Sequence, residues 1–189
     1  MADHARKPPV EHACRAVAWQ RAAFPDPPSV VDVDLGSYMG RWYEVARTRV
    51  STPFQALCGC VTADYELLDS GNVRVVNTCV KMPHPLIQGA TTQAIGEAVP
   101  KAPGKLLVTF DGQPASFMAD EGNYWIVDSA DDGSWAVVSS MMRAPIWVLS
   151  RTPALPGGTL KDIMQRLTDR GFDAWKLRPT TQGDSCAYT

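Results

Sequence analysis

The chain has 189 residues and a formal net charge of −2, with 45% hydrophobic and 20% charged residues. This length suits one domain with a substantial core, and the composition is typical of a globular protein. The sequence contains no cluster of basic residues, which argues against nucleic acid as a partner. No apolar stretch approaches the roughly 20 residues that a membrane-spanning helix needs.

Residues 1–30 are predicted to form a proline-rich N-terminal arm, because Pro8-Pro9 and Pro25–Pro28 leave room for at most a short helix. The first nine residues are polar and rich in proline, unlike a secretory signal. We therefore expect any targeting segment to be absent from this chain. The folded domain is expected to cover residues 31–189.

Strand-like runs separated by turn residues occupy residues 40–151. The eight predicted strands are 42–48, 61–68, 72–80, 86–99, 105–110, 123–128, 135–140 and 146–151. No helical pattern separates them, which excludes parallel β-α-β units. Hairpin turns at even spacing favour an antiparallel up-and-down barrel or a sandwich.

The clearest hairpin joins the second and third strands around Asp69-Ser70-Gly71, where Gly71 can adopt the left-handed conformation of a short loop. Pairing Leu68 with Asn72 gives the hairpin one largely apolar face. The residues on that face are Val61, Ala63, Tyr65, Leu67, Val73, Val75, Asn77 and Cys79. Tyr65 and Asn77 fit a filled core poorly without polar partners, so this face favours a ligand pocket over a solid interior.

Leu160, Ile163, Met164 and Leu167 recur at helical spacing. They predict one amphipathic helix over residues 159–170, with Thr159 as its cap and Gly171 as its stop. This helix must pack its apolar stripe on the outside of the strands. A tail over residues 171–189 follows, with a last edge strand at 177–180.

Trp42 opens the first predicted strand and Arg151 closes the last. In a small barrel the indole can plug the narrow end, which we call the base, while the guanidinium lies over its face as a cation–π contact. Strand alternation places Trp147 and Leu149 on the same inward face as Arg151. The loop after the first strand should overhang the opposite end, the mouth, with Phe54 and Leu57 as a hydrophobic lip.

A barrel of eight antiparallel strands encloses one small ligand or is filled by its own side chains. The predicted lining is mostly apolar and has few polar groups, which suits an elongated apolar molecule held by one or two hydrogen bonds. We therefore predict an all-β fold: an eight-stranded antiparallel up-and-down barrel whose interior, the calyx, is flanked outside by one C-terminal helix.

The five cysteines are Cys14, Cys58, Cys60, Cys79 and Cys186. Cys58-Gly59-Cys60 is a C-x-C rather than the C-x-x-C of redox or zinc motifs, and the histidines have no ligand spacing. The sequence therefore predicts no metal site and no cofactor. An unpaired thiol in the polar tail would be a liability, so we expect disulfides and an oxidising compartment, with one thiol left over.

Three blocks of the sequence resemble conserved motifs of the lipocalin family. Gly40–Ala46 is similar to the first block, and Trp147–Pro153 is closely similar to the third. Tyr124–Asp128 is similar to the second, although that block usually has Thr-Asp before an aromatic residue and this chain has Val127-Asp128-Ser129. Within the family the chain resembles the branch of apolipoprotein D, bacterial outer-membrane lipocalins and plant lipocalins. The C-x-C motif with Cys79 resembles the plastid-type lipocalins.

The resemblance implies a calyx that binds small hydrophobic molecules, with Trp42 and Arg151 at its base. The calyx-lining positions of the apolipoprotein D branch correspond here to Tyr65, Asn77, Tyr124 and Trp147. Strand alternation adds Val75 and Leu149 to the predicted lining. It also implies a disulfide from the second strand to the tail, Cys60–Cys186. For the second bridge we favour Cys58–Cys79, which the hairpin register brings close, with Cys14–Cys58 and Cys14–Cys79 as alternatives.

The sequence leaves three candidate functions for this protein. The first is a carrier or scavenger of fatty acids, lysophospholipids, or retinoid- or carotenoid-like molecules, with protection from lipid oxidation as the role that the resemblance implies. The second is a lipocalin-type enzyme, for which Cys79 has no nearby histidine to activate it. The third is an interaction subunit with a filled calyx. We expect a binding protein in a secreted, periplasmic or plastid-lumen setting. Peripheral association with a membrane or a protein complex stays open, as does the oligomeric state.

Overall fold

The computed structural model describes residues 28–49, 58–81, 90–113, 120–184 and 186–188. Its elements within these ranges, in chain order, are α1 (Leu35–Tyr38), β1 (Gly40–Thr48), β2 (Cys58–Leu67), β3 (Val73–Lys81), β4 (Thr91–Ala102), β5 (Lys105–Phe110), β6 (Tyr124–Ser129), β7 (Trp135–Ser139), β8 (Trp147–Ser150), α2 (Thr159–Asp169), a 3₁₀ turn (Ala174–Lys176) and β9 (Leu177–Pro179). None of the helices within these ranges is long and apolar enough to cross a membrane.

The strands form one antiparallel sheet that closes on itself. Neighbours follow the order β2-β3-β4-β5-β6-β7-β8-β1-β9, and an additional β1–β2 pairing completes the ring. From β1 to β8 each strand pairs with the next along the chain, as expected for an up-and-down barrel, and β9 pairs with β1. The predicted all-β fold, a closed eight-stranded antiparallel barrel with one C-terminal helix, is confirmed, and a ninth strand is added at its edge.

The β2–β3 hairpin has the predicted register. Tyr65 lies opposite Val75, and Ala63 lies opposite Asn77. The Leu68 amide donates to the Asn72 carbonyl at 2.8 Å, and Gly71 closes the loop with a φ of 81°. Leu67 keeps this register opposite Val73, but it lies at the end of the hairpin, is 47% exposed and does not line the cavity inside the barrel.

The C-terminal segment fills a gap between β1 and β2. These strands pair only from Gly40 to Tyr43, and farther along β1 the same edge pairs instead with β9. The Gln182 amide then donates to two carbonyls, Glu44 on β1 at 2.9 Å and Val61 on β2 at 2.8 Å. The tail is therefore part of the barrel wall.

Two apolar clusters lie on opposite faces of the sheet. The inner cluster includes Trp42, Ile126 and Val138, and the outer cluster includes Val127 and Val137. Strands β6 to β8 and β1 are covered on both faces, inside by the barrel and outside by α2. This explains the continuous apolar run of β7, since strands buried on both faces lose the alternation of half-exposed ones.

Helix α2 packs on the outside of the barrel, as predicted. Ile163 and Leu167 are buried in the outer cluster, and Leu160 and Met164 pack against it. The expected cap was wrong: the N-cap is Gly158, which makes no side-chain capping hydrogen bond, and Thr159 is the first helical residue.

Strand β5 has the predicted bounds, and the other strands differ from the sequence prediction by one to five residues at one or both ends. The fourth strand begins at Thr91 rather than at 86, and residues 82–89 lie outside the described ranges. Most of the predicted arm, residues 1–27, also lies outside them. At the described end of the arm, Arg170 donates hydrogen bonds to the Ser29 carbonyl at 3.0 Å and to the Ser29 hydroxyl at 2.8 Å. The division between arm and domain at residue 30 stays a prediction.

Candidate functional site

The base of the barrel is closed by Trp42 and Arg151. The Arg151 Cζ atom lies 3.7 Å from the Trp42 ring centroid, within cation–π range. Its guanidinium also donates to the Arg41 carbonyl at 3.0 Å and to the Ser37 carbonyl at 2.7 Å. Trp42 is 1% exposed, and its indole Nε1 donates to the Tyr38 carbonyl at 2.9 Å. The two residues therefore join β1, β8 and α1 at one end of the calyx.

Three tyrosine hydroxyls meet above this base. The Tyr124 hydroxyl lies 2.8 Å from that of Tyr38 and 3.1 Å from that of Tyr65. Burial raises the pKa of Tyr65 to about 12, and it raises the pKa values of Tyr38 and Tyr124 well above the ordinary value. The hydroxyls therefore stay neutral at physiological pH.

Tyr38 was missed by the sequence analysis because it lies before the first strand, on the single turn of α1. The signal that could have revealed this turn is Asp34, whose carboxylate accepts a hydrogen bond from the Ser37 amide at 2.8 Å. Aspartate is one of the preferred residues at the N-cap of a helix. The turn lays the Tyr38 ring across the barrel end, 4.9 Å from Trp42 between centroids.

A cavity of about 190 Å³ lies inside the barrel above the tyrosines. Six of the eight predicted ligand-binding residues line it: Tyr65, Val75, Asn77, Tyr124, Trp147 and Leu149. The other two, Phe54 and Leu57, lie outside the described ranges. The structure thus brings the described candidates together around one space, and most of its lining is apolar.

Glu44 is a cavity-lining residue that the sequence analysis assigned only to a motif. The side chain is buried, and its Oε1 accepts from Arg47 at 2.5 Å and from the Thr180 hydroxyl at 2.7 Å. Burial raises the pKa of this carboxyl, and the contacts with Arg47 and Thr180 offset part of that effect. Alternation from Trp42 would have placed Glu44 on the inward face.

Two disulfides stabilise the wall of the calyx. Cys58 and Cys79 join β2 to β3 and both line the cavity, while Cys60 and Cys186 join β2 to the tail. These are the two bridges favoured from the resemblance and the hairpin register. The alternatives that paired Cys14 with Cys58 or Cys79 are wrong, since those two are bonded to each other, and Cys14 lies outside the described ranges.

The polar groups around the cavity are suited to holding a ligand. Within the described ranges no group of three or more His, Cys, Asp or Glu side chains could hold a metal ion. Cys79 is held in its disulfide, and the Glu44 carboxyl is engaged by Arg47 and Thr180. An apolar space with a few fixed polar groups binds and orients a small molecule.

The sequence of this chain is similar to those of known proteins. A family model described as a lipocalin-like domain matches residues 33–182. Apolipoprotein D of Mus musculus is 32% identical over 85% of this chain and 82% of its own length. Temperature-induced lipocalin-1 of Arabidopsis thaliana is 31% identical over 82% of this chain and 83% of its own length. The outer membrane lipoprotein Blc of Vibrio cholerae is 32% identical over 78% of this chain and 82% of its own length.

Solved structures give the same fold at lower identity. Insecticyanin from the tobacco hornworm Manduca sexta superposes with a TM-score of 0.64 at 22% identity, covering 86% of this chain and 87% of that one. Lobster apocrustacyanin A1 superposes with a TM-score of 0.59 at 19% identity, covering 85% of this chain and 92% of that one. The closed barrel, its base and the family match together show that this chain is a member of the lipocalin family, whose members bind small hydrophobic ligands.

Proposed function

We propose that this protein binds and carries, or scavenges, a slender hydrophobic molecule in its calyx. The observation that supports the proposal is the cavity of about 190 Å³ within the closed barrel, lined largely by apolar side chains. An apolar cavity of about 150 Å³ is large enough for a benzene-sized guest. A filled calyx, as an interaction subunit would have, leaves no such space.

The size of the cavity favours a single acyl chain. Drug-sized ligands occupy pockets of roughly 300–1,000 Å³, so a space of about 190 Å³ is narrow for a fused-ring or branched molecule. An acyl chain held in this space would contact apolar side chains such as Val75 and Leu149. We therefore propose fatty acids and lysophospholipids as the first ligands to test, with retinoid- or carotenoid-like molecules as alternatives.

We also propose an oxidising compartment and a protective role for this protein. Two disulfides within the described residues indicate an oxidising setting, such as an extracellular or periplasmic one, and we keep the plastid lumen as an alternative. In such a setting, sequestering free acyl chains would protect membranes from lipid oxidation. Its partner is thus a small lipid, and association with a membrane surface would serve its delivery.

Binding is favoured over catalysis by the chemistry of the lining. A cysteine nucleophile needs a free thiolate, and Cys79 is bonded to Cys58. Acid–base chemistry needs a carboxyl poised to exchange protons, and the Glu44 carboxyl is occupied by Arg47 and Thr180. We therefore propose that the protein is not an enzyme.

The proposal is tested by loading the full chain with a lipophilic fluorophore and displacing it with octadecanoic acid. We expect saturable binding at one molecule per chain in the wild type. Trp147→Glu and Tyr65→Glu place a charge against the acyl chain and should abolish binding, with circular dichroism confirming the fold. Trp175→Glu is the control, since Trp175 is 65% exposed and lies outside the cavity. Equal binding by folded forms of all four proteins would contradict the proposal.

A further inference from the structure

The charge of the calyx wall depends on one residue, Glu44. Among the described residues that line the cavity, it alone has a carboxyl group, and none of them has a cationic side chain. The other polar groups of this lining are tyrosine hydroxyls, asparagine amides, a disulfide and the Trp147 indole, all of them neutral at physiological pH. The charge that a ligand meets inside the calyx is therefore that of Glu44.

The hydrogen bonds of the Glu44 carboxyl group fall on only one of its two oxygens. Oε1 accepts from Arg47 at 2.5 Å and from the Thr180 hydroxyl at 2.7 Å. Oε2 has no hydrogen bond from a described residue, and it is not one of the fully enclosed polar atoms that lack a partner. Oε2 therefore borders open space, and the space that this buried side chain lines is the cavity.

The surrounding strands hold the carboxyl group in this orientation. Glu44 lies on β1 opposite Leu149 of β8, which also lines the cavity. Arg47 from β1 and Thr180 from the tail are the two donors that hold Oε1. Rotation of the carboxyl group by half a turn only exchanges its two oxygens, so one of them always remains an unused acceptor on the cavity side.

The protein compensates the burial of this carboxyl group only in part. Burial raises the pKa of Glu44, and the contacts with Arg47 and Thr180 lower it by less. An ionised carboxyl group has about four acceptor sites, and a buried charge is stabilised when it is both paired and hydrogen-bonded. A donor at Oε2 would supply a hydrogen bond that the described part of the protein does not.

We propose that the calyx prefers a single-chain lipid with a primary ammonium head group, which donates to Glu44 Oε2 while the alkyl chain lies against the apolar lining. This inference rests on the proposed function and names the head group of its ligand. The hydrogen bond would join opposite charges, which makes it stronger than one between neutral groups. A carboxylate head group has no donor and carries the same charge as Glu44, so an acid with the same chain should bind more weakly.

The test compares dodecylamine, dodecanol and dodecanoic acid, which share one chain, by fluorophore displacement from the full-length protein. At about pH 8 the amine is protonated. Dodecylamine should bind at least about tenfold more tightly than dodecanoic acid, the gain expected for one hydrogen bond to a charged group. Dodecanol, a neutral donor, should lie between them. An acid or an alcohol that binds as tightly as the amine would overturn the inference.

Glu44→Gln assigns the preference to the named atom. A guanidinium carries only donors, so the glutamine oxygen should keep the contact with Arg47 and turn its amino group toward the cavity as a donor. The advantage of the amine over the acid should therefore fall at least about tenfold. Glu66→Gln is the matched control, because the Glu66 side chain is 66% exposed on the outer face of β2, and it should keep the full preference. An unchanged preference in folded Glu44→Gln would overturn the inference.

A second probe tests the hydrogen bond in the wild type, where folding of a variant plays no part. Dodecyltrimethylammonium carries the same charge and chain as protonated dodecylamine but has no N–H group. It should bind severalfold more weakly than dodecylamine, because it cannot donate to Glu44 Oε2. Equal or tighter binding of the trimethylated cation would show that Oε2 receives no donor from the ligand.

The same compounds separate this inference from the proposed function. Binding of all three chains in the calyx without a preference for the amine contradicts only the head-group inference. Failure of every compound to bind contradicts both. Tighter binding of the amine, lost in Glu44→Gln and kept in Glu66→Gln, supports both.

Discussion

Trp42 stabilises the base of the barrel through three kinds of contact. Its ring is buried in the inner apolar cluster, its N–H is paired with the Tyr38 carbonyl, and its face is covered by Arg151. The sequence alone indicated the pair with Arg151, because a tryptophan and an arginine stand at opposite ends of the strand-rich region. It did not indicate Tyr38, because Tyr38 lies before the first strand, on the turn that Asp34 caps.

Replacing Trp42 with alanine should destabilise the protein by about 3–5 kcal/mol, the range for truncating a large buried aromatic side chain. Chemical denaturation monitored by circular dichroism measures the change in the free energy of unfolding. Trp175→Ala is the matched control, because a residue that is 65% exposed should change stability by no more than about 0.5 kcal/mol. A loss below about 1 kcal/mol in Trp42→Ala would contradict the described base.

Glu44 should make stability depend on pH. Burial raises the pKa of its carboxyl in the folded protein above the ordinary value of 4.5, so the folded state holds this proton more tightly than the unfolded chain. The resulting stabilisation is fully present below the unfolded pKa and is lost as pH rises through the folded pKa. Glu44→Gln removes this titration and keeps the shape of the side chain.

The measurement is the free energy of unfolding of both proteins across the acid-to-neutral range. The free energy of unfolding of the wild type minus that of Glu44→Gln should fall as pH rises through the folded pKa of Glu44. Glu66→Gln serves as the control, because Glu66 is an exposed side chain on the outer face of β2. If the difference between the two free energies stays constant or rises with pH, burial does not set the direction of the pKa shift of Glu44.

The end of α2 shows what sequence reading captures at the level of one element. Gly171 follows the helix with a φ of 78°, its amide donates to the Thr168 carbonyl at 3.0 Å, and the Phe172 amide donates to the Leu167 carbonyl at 3.0 Å. This pair of bonds is the Schellman motif, and Phe172 adds the accompanying apolar contact. The stop was predictable because glycine alone adopts this conformation without strain.

Gly171→Ala should therefore destabilise the protein by about 1–2 kcal/mol, the cost of a left-handed conformation in a residue with a Cβ atom. An added Cβ would meet only Arg143 Nε at 3.8 Å, an ordinary contact, so the cost comes from the backbone. Gly157→Ala is the control, because that position has no left-handed φ and no atom within 4 Å of an added Cβ. The measurement is the midpoint of thermal unfolding of each variant. Equal midpoints for Gly171→Ala and Gly157→Ala would contradict the Schellman motif at the end of α2.

Strand positions were predictable where turn residues lie on both sides of the strand. They were less predictable where tertiary contacts determine the ends of an element. Strand β5 has the predicted bounds, and the β2–β3 register followed from Gly71 and the apolar alternation. The cap of α2 was not predictable, because Gly158 adopts a left-handed conformation where a side-chain cap was expected. Local chemistry thus placed the elements better than it placed their ends.

At the scale of the whole molecule, the tail extends the closure of the sheet beyond the short β1–β2 pairing. β1 exchanges its partner from β2 to β9, and Gln182 bridges the two strands where they part. Sequence reading predicted a last edge strand and a tail disulfide, but not this bridging role. Such a role arises from the barrel's own geometry, since the gap exists only once the sheet has closed.

The candidate site was predictable to the extent that alternation fixes which side chains face inward. Tyr65, Asn77 and Trp147 line the cavity as expected from strand period and resemblance. The partner of each polar atom was not predictable, because hydrogen bonding within the calyx depends on strands far apart in the chain. Tyr65 has Tyr124 as its partner, while the Asn77 oxygen has none among the described residues.

The central claim is that ligand binding occurs in the space inside the barrel, and the most direct test is to fill it. Ala98 is 2% exposed and lines the cavity, while its neighbour Val99 on the same strand is 37% exposed. The measurement is the affinity for octadecanoic acid in folded Ala98→Phe and Val99→Phe. We predict that Ala98→Phe loses binding at least about tenfold, the effect of about 1.4 kcal/mol, while Val99→Phe binds like the wild type. Unchanged affinity in Ala98→Phe would place the ligand elsewhere and contradict the account.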